Sequence, residues 1–255
     1  MKGILTMSVT VRSLYRDTIN FCYHQAINII LMAILISFIT VLINSIIFPY
    51  YSEQMQFIFG TNDPKYFSKS LLEIVPKMSS EQLMLLLYIF VIKFVITLLG
   101  HTLMLGGILN LITMVSSGKR GNILLALQSA VLQFPKLLIL TFIINLLNNL
   151  GLIILIFPGI VLTILLSLSP IVMINEQTSI SDAMRISTYM IWKYHKLIIP
   201  AIILWLFGKY LVLIFSAFVT HLFIMTISII ILNIIYYVIN AVLIIYLYRF
   251  YMLCR

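Results

Sequence analysis

Long apolar runs without charged residues constrain this chain more than any other feature. Ile27–Phe48 is such a run, and Pro49 follows it. A helix needs about 20 residues to cross a hydrocarbon core about 30 Å thick. Because runs of this length recur to the end of the chain, the sequence predicts a protein that folds in a lipid bilayer.

The composition excludes the main soluble classes. Hydrophobic residues make up 62% of the 255 residues and charged residues only 9%, whereas soluble domains carry about 25% charged residues. A water-soluble globule, a disordered chain and a fibrous repeat are therefore ruled out. We expect one all-α, polytopic membrane helical bundle over residues 1–255, with interfacial amphipathic helices.

Counting the apolar runs predicts six spans. Leu83–Val115 would reach roughly 50 Å as one helix, so we divide it at Lys93. Ser79 and Gln82 form a capping-box pattern that starts a short interfacial helix ending near Ile92. Asn148–Gly151 has the residues of a turn between the third and fourth spans. The predicted spans are residues 27–48, 94–115, 134–149, 152–174, 197–219 and 222–247, with an external loop at 49–82.

The basic residues predict an orientation. Eleven of the sixteen lysines and arginines fall on the side of the two termini, and three fall in the 49–82 loop. Since basic loops stay in the cytoplasm, we expect both termini inside and the loop in the periplasm of a bacterial inner membrane. Met1–Asn20 has no apolar run typical of a cleaved signal peptide. Cys22 and Cys254 are expected on the cytoplasmic side, which is reducing, so they predict neither a disulfide nor a metal site.

Three amphipathic segments of similar length precede alternate spans. They are Leu14–His24, Ala126–Lys136 and Ala183–Lys193, and each ends on a basic residue or a histidine. Helices of this kind lie in the membrane plane with their basic residues at the headgroups. We therefore expect three interfacial elbows, each followed by a pair of spans.

Lys209 is the sharpest candidate functional residue. It lies about 18 Å along its helix from Leu197 and about 15 Å from Val219, hence near the middle of the membrane, where a lysine costs at least about 2.5–3.5 kcal/mol. Lys209 is either a hydrogen-bonded structural lysine or a contact for an anion or lipid headgroup. Its candidate partners at that depth include Asn145 and Asn240, and His101 is a further titratable side chain.

The fourth span carries packing signals. Pro158 predicts a kink within this span, because proline removes a backbone donor. Gly159, Thr163 and Ser167 repeat at four-residue spacing, which favours close helix contact.

The chain lacks the motifs of the common enzyme classes. It has no His-Glu-x-x-His, no Gly-x-Ser-x-Gly and no glycine-rich phosphate loop. We therefore expect no catalytic, metal or cofactor site and no enzymatic activity. The net charge of +9 comes from basic residues in short loops that are expected on the cytoplasmic side, so nucleic acid is not an expected partner.

Several segments resemble the YciC-type inner-membrane proteins of gamma-proteobacteria. The resemblance covers essentially the whole chain apart from the 49–82 loop, and it implies a multi-pass inner-membrane protein without implying an activity. The segments that carry it are Ser13–Phe21, Val115–Arg120, Phe134–Leu137, Phe157–Ile160, Leu168–Met173 and Ala241–Leu253.

Two functions stay open at this point. The first is a non-enzymatic membrane component that interacts with lipid or with the helices of a membrane-protein partner. The alternative is a transporter or exchanger of an anionic or amphiphilic solute, with Lys209 on the route. A wide polar cavity reaching Lys209 would favour transport, whereas a dry, packed core would favour the first.

Overall fold

The chain forms an all-α membrane bundle. A computed structural model describes residues 11–59, 79–154 and 156–254, and this part of the chain contains helices and no strand. Six of its segments are long and apolar enough to cross a membrane, which confirms the predicted fold class. The helices are α1 (Val11–His24), α2 (Ala26–Phe59), α3 (Ser80–Ser116), α4 (Ile123–Ile154), α5 (Ile156–Leu166), α6 (Ser169–Glu176), α7 (Ile180–Lys193), α8 (His195–Leu222) and α9 (Met225–Cys254).

Two of the predicted elbows are separate amphipathic helices. A single non-helical residue divides α1 from α2 and α7 from α8. The buried residues of α1 recur every three or four positions, at Leu14, Thr18 and Phe21, so one face packs on the bundle. The second elbow differs from the prediction, because Ala126–Lys136 is continuous with α4 and the helix runs through Pro135.

The capping box predicted at Ser79 begins a helix, but the predicted break near Lys93 is absent, so the second span starts earlier than the predicted residue 94. The capping box forms, since Gln82 N–H donates to Ser79 Oγ at 3.3 Å and Ser79 N–H donates to the Gln82 side chain at 2.9 Å. From there α3 continues to Ser116 as one helix. Lys93 interrupts neither the backbone nor its hydrogen bonds, since lysine is a good helix former and its side chain is exposed.

Helix α2 continues past the end of the first span. The span covers Ala26–Ile47, close to the predicted 27–48. The backbone of α2 stays helical past Pro49 to Phe59, so part of the expected loop is helix. A proline marks a probable helix boundary and not a certain one. The rest of that loop, residues 60–78, lies outside the described residues.

The turn and the kink predicted around the fourth span are placed differently in the structure. Asn148–Gly151 is helical and belongs to α4. Pro158 lies in the first turn of α5, where a missing N–H costs little, so it does not kink the span. The span breaks instead between α5 and α6, where Pro170 occupies the first turn of α6.

Gly151 and Gly159 set the distance between α4 and α5. A Cβ atom added to Gly151 would lie 2.8 Å from the Gly159 Cα atom. Glycines therefore allow the two backbones to approach closely, as small residues do in membrane helix pairs. Gly159, the first member of the Gly159, Thr163 and Ser167 stripe, lies at this close contact.

Helix α9 is the centre of the bundle and packs against α1, α2, α3 and α8. Its buried face includes Ala241, Ile245 and Phe250, which have no exposed surface. On α2, the buried Ser37 donates to the Ile230 carbonyl of α9 at 3.1 Å. In contrast, α8 packs mainly on α9 and, at its start, on α7, which leaves space between α8 and the helices opposite it.

Candidate intramembrane binding site

A cavity of about 310 Å³ lies inside the bundle, and we call it the central cavity. Helices α3, α4, α5, α6, α8 and α9 contribute to its wall, so every span except the first takes part. Thr97 and Asn149 on the wall are exposed, so the cavity reaches the surface of the bundle beside them. Its polar and charged lining residues are Thr97, His101, Thr141, Asn145, Asn148, Asn149, Thr163, Ser167, Trp205, Lys209, Tyr236 and Asn240.

The four polar residues singled out in the sequence meet on this wall. Lys209 comes from α8, Asn240 from α9, His101 from α3 and Asn145 from α4. Lys209 lies about 21 Å from the start of α8 and about 20 Å from its end at 1.5 Å per residue. The cavity is therefore central along the helix axis.

Two aromatic residues hold the Lys209 ammonium. Its Nζ atom donates to the Tyr236 hydroxyl at 3.0 Å, and it lies 3.7 Å from the centre of the Trp205 ring. An aromatic face attracts a cation more strongly when both are removed from water. No carboxylate in the described ranges pairs with Lys209, and none lines the cavity.

A chain of hydrogen bonds fixes the aromatic residues in turn. Trp205 Nε1 donates to Asn240 Oδ1 at 2.9 Å. The Asn240 amide then donates to the Tyr236 carbonyl, also at 2.9 Å. Trp205 and Tyr236 are thereby linked to the same asparagine, so residues of both α8 and α9 fix the position of the Lys209 side chain.

Two buried polar atoms on the α3 and α4 parts of the wall lack partners among the described residues. His101 Nδ1 and Asn148 Oδ1 are both buried and have no hydrogen-bond partner in the described part of the chain. A buried polar atom without a partner costs about 1–3 kcal/mol. A bound ligand or water would satisfy both atoms, so this wall is a candidate binding surface.

The remaining predicted residues have local roles. Asn145 donates to the Thr141 carbonyl at 2.7 Å, and Thr163 donates to the Gly159 carbonyl at 2.9 Å. Ser167 donates to the Ile164 carbonyl at 2.8 Å. Asn145, Thr163 and Ser167 line the cavity, whereas Pro158 and Gly159 are not on its wall.

Trp205, Tyr236 and Asn148 are site residues that the sequence reasoning missed. A signal was present, because Trp205 precedes Lys209 by four residues and Tyr236 precedes Asn240 by four. Residues four apart lie on the same face of a helix. A search for aromatic residues one turn from a polar residue inside a span would have found both pairs.

The described residues hold no cluster of three or more histidine, cysteine or acidic side chains that could bind a metal. The cavity wall offers one cation, several amides and hydroxyls, and apolar surface from residues such as Leu98, Leu243 and Leu247. This mixture suits a ligand with an anionic, hydrogen-bonding part and an apolar part.

These features define a polytopic α-helical membrane protein with a polar cavity among its spans. The chain belongs to UPF0259, described as an uncharacterised protein family, whose profile matches residues 7–253. This membership confirms the resemblance to the YciC-type proteins.

Curated membrane proteins are similar to this chain along almost its whole length. The chain is 39% identical over 251 residues to a UPF0259 membrane protein of Yersinia pestis (strain Pestoides F). The same identity relates it to a UPF0259 membrane protein of Yersinia pseudotuberculosis serotype O:3 (strain YPIII). Each alignment covers 98% of this chain and 97% of the relative. No solved structure matches the chain.

Proposed function

We propose that this protein is a non-enzymatic membrane component that binds an anionic amphiphile in the central cavity and carries it as a transporter or exchanger. The observation that supports this proposal is the position of Lys209, a cation without a carboxylate partner in the described chain, on the wall of a polar cavity. A phosphate or carboxylate headgroup would neutralise the ammonium and accept its remaining N–H bonds.

The two polar atoms of α3 and α4 that lack partners in the described ranges support an anionic ligand that also carries a hydroxyl group. A headgroup that carries a hydroxyl beside its anionic group would satisfy both buried atoms. The hydroxyl donates to Asn148 Oδ1, which is an acceptor, and an anionic oxygen accepts from His101 Nδ1 in the tautomer that carries its proton there. The loose packing of α8 against the helices across the cavity gives a headgroup a lateral way in from the bilayer. The apolar chain of the ligand stays among apolar side chains and lipid.

A scaffold for partner helices has less support. A dry, packed core would favour it, whereas the bundle holds a polar cavity. Small residues that could pack on a partner helix are used within the chain itself. Ala33 and Ser37 are fully buried inside the bundle, and Gly159 packs on Gly151. Ala33, Ser37 and Gly159 are therefore already used inside the chain and are not available to a second protein.

We also propose that both termini face the cytoplasm of a bacterial inner membrane. The basic residues that support this orientation include Lys119, Arg120 and Arg185, which are exposed near one end of the bundle. Reporter fusions at the two termini test it. Alkaline phosphatase should be inactive and a cytoplasmic fluorescent protein should fluoresce at each terminus; the reverse result would invert the orientation.

Lipid exchange in vesicles tests the proposed function. Purified protein is reconstituted with fluorescent phosphatidylglycerol, and dithionite quenching measures the movement of that lipid between the leaflets. The wild-type protein should accelerate exchange, and Lys209→Met should abolish the acceleration because the cavity loses its cation.

Lys93→Met is the matched control, since Lys93 lies in a span but is exposed and outside the central cavity. It should leave exchange unchanged. Equal exchange by wild type and Lys209→Met would overturn the role of the cavity. Absence of exchange by folded wild-type protein would overturn transport of this lipid class.

A further inference from the structure

A second cavity lies at the end of the bundle that carries α1, and we call it the headgroup pocket. It has a volume of about 500 Å³ and lies between α1, the last turn of α3 and the end of α9. The residues that matter for its chemistry are Asp17, Asn20, Phe21, His24, Gln25 and Arg249.

The depth of the pocket matches the headgroup region of a membrane. The first span begins at Ala26, one residue after Gln25, and the last span ends at Cys254. Arg249 is about 7.5 Å along the helix from that end. On the outward side of α1, Ile19 is 63% exposed and Tyr23 is 81% exposed, as in amphipathic helices whose tyrosines lie at the interface.

Arg249 provides the cationic half of the pocket. Its guanidinium carbon lies 5.1 Å from the centre of the Phe21 ring, which fixes the side chain between α9 and α1. Its Nε atom is buried and lacks a hydrogen-bond partner among the residues described. A guanidinium with free N–H groups is the preferred protein partner of a phosphate.

Asp17 provides the anionic half of the pocket. Its one ion pair within the described ranges is a 3.9 Å contact with Arg16, and both of those side chains are exposed. Such a surface pair contributes about 0–1 kcal/mol, so the carboxylate stays available. Asp17 and Arg249 share the cavity wall without forming an ion pair themselves, which leaves room between opposite charges.

The polar side chains between these charges fit a headgroup with hydrogen-bonding oxygens. His24 Nδ1 lies 2.7 Å from the Asn20 carbonyl oxygen, within hydrogen-bond distance, and Gln25 Oε1 accepts from Asn28 at 2.7 Å. These bonds fix the His24 ring and the Gln25 amide within α1 and at the start of α2. The rim of the pocket is thereby ordered before a ligand binds, which lowers the cost of binding.

We propose that the headgroup pocket binds an aminophospholipid, with the lipid phosphate on Arg249 and its primary ammonium on Asp17. A zwitterionic headgroup satisfies both charges, whereas phosphatidylglycerol satisfies the arginine and leaves the carboxylate beside a second anion. The pocket is therefore selective for an aminophospholipid over an anionic phospholipid. This site is separate from the central cavity and does not depend on the function proposed for Lys209.

Native mass spectrometry of the full chain in detergent tests the proposal. Phosphatidylethanolamine and phosphatidylglycerol with identical acyl chains are titrated separately. The central cavity is itself proposed to bind an anionic lipid, so the titrations use the Lys209→Met background. In that background, phosphatidylethanolamine should bind about tenfold more tightly than phosphatidylglycerol, which corresponds to about 1.4 kcal/mol. Arg249→Gln should weaken the binding of both lipids about tenfold. Arg249→Lys should recover part of the loss, because lysine restores the positive charge but not the paired N–H donors of the guanidinium.

The Asp17 variant gives the sharper result. Asp17→Asn should remove the preference, because the ammonium loses its partner and phosphatidylglycerol loses a repulsive charge. Arg12→Gln is the matched control on α1, exposed and outside the pocket, and it should leave both affinities unchanged. Because the titrations use the Lys209→Met background, failure at this site is separated from failure of the proposed transport.

Two results would overturn the proposal. The first is a preference that Asp17→Asn leaves unchanged, and the second is an Arg249→Gln variant that binds both lipids as Arg12→Gln does.

Soluble phosphoethanolamine is included as a competitor. Displacement of the lipid at equal concentrations would assign the site to the free compound and would overturn the lipid as its ligand.

Discussion

Lys209 and Trp205 stand one helical turn apart on α8, and the Lys209 Nζ atom lies 3.7 Å from the centre of the Trp205 ring. The same indole donates to Asn240 on α9. One aromatic side chain therefore both holds the intramembrane cation and joins the two helices. The cost of placing a lysine at this depth is offset in part by this contact and in part by the Tyr236 hydroxyl.

Trp205→Phe should lower the free energy of unfolding by about 1–2 kcal/mol. It removes a buried N–H bond, which contributes about 0.5–1.5 kcal/mol, and it weakens the cation–π contact. Equilibrium unfolding in mixed micelles measures the change. Trp192→Phe is the control, since Trp192 is 76% exposed and should change stability by less than about 0.5 kcal/mol. Equal effects of the two substitutions would contradict the structural role of Trp205.

The hydrogen bond between Lys209 and Tyr236 predicts an energetic coupling between α8 and α9. Tyr236→Phe should cost about 1–2 kcal/mol while the lysine is present, because a bond to a charged group is lost. In the Lys209→Met background, the same substitution should cost less than about 0.5 kcal/mol. A double-mutant cycle on unfolding free energies measures the difference, and additive effects would show that the bond contributes nothing.

Much of the fold follows from the sequence because the bilayer imposes a strong rule. A spanning segment must satisfy its own backbone hydrogen bonds, so an apolar run of sufficient length becomes a helix. The run Ile27–Phe48 therefore predicts the membrane part of α2, and Ser79 predicts the start of α3. The helix breaks were harder to place, because Pro158 and Pro170 lie in the same apolar run and give the same sequence signal. Pro158 lies in the first turn of α5 and Pro170 in the first turn of α6, and only the tertiary structure shows which of them marks the interruption of the span.

Some residues of the candidate site were predictable from the sequence, but their assembly into one cavity was not. Lys209, His101 and Asn145 stand out because each is a polar residue at apolar depth, where it is costly. They come from three different helices, and the sequence does not specify which spans become neighbours. Trp205 and Tyr236 were missed because an aromatic residue in an apolar run is also ordinary packing or lipid-facing surface.

The Cys22 thiol should react slowly with maleimides near neutral pH. Cys22 lies on α1, outside the spans, and burial raises the pKa of its thiol. The thiolate is the reactive form, so a raised pKa leaves a smaller reactive fraction at pH 7. Labelling of a Cys254→Ser variant with N-ethylmaleimide between pH 7 and pH 10 measures the rate.

The unfolded chain in SDS is the reference for this labelling. The folded protein should react several-fold more slowly at pH 7, and its rate should still rise at a pH where the rate of the unfolded chain has levelled off. Equal rates at pH 7 would show that the thiol has neither the burial nor the raised pKa that the α1 packing implies.

Gly151 should be intolerant of even one additional methyl group. An alanine is normally about 1 kcal/mol better than a glycine inside a helix, so a stabilising effect is the ordinary expectation. At Gly151 the added Cβ would lie 2.8 Å from the Gly159 Cα atom, and a backbone atom cannot move aside as the end of a flexible side chain can. Gly151→Ala should therefore push α4 away from α5 and lower the thermal unfolding midpoint in detergent.

Gly208 provides the matched control for this substitution. It also lies inside a helix, but its added Cβ would lie 3.5 Å from the nearest atom, Ile239 Cγ2, which is ordinary van der Waals contact. Gly208→Ala should leave the midpoint unchanged or raise it, since helix propensity acts there without a clash. If Gly151→Ala were as stable as Gly208→Ala, the close approach of α4 and α5 would not contribute to the stability of the bundle. A drop confined to Gly151→Ala would show that α4 and α5 meet through their backbones, which places the Asn145 and Asn148 wall of the central cavity at a fixed distance from Thr163.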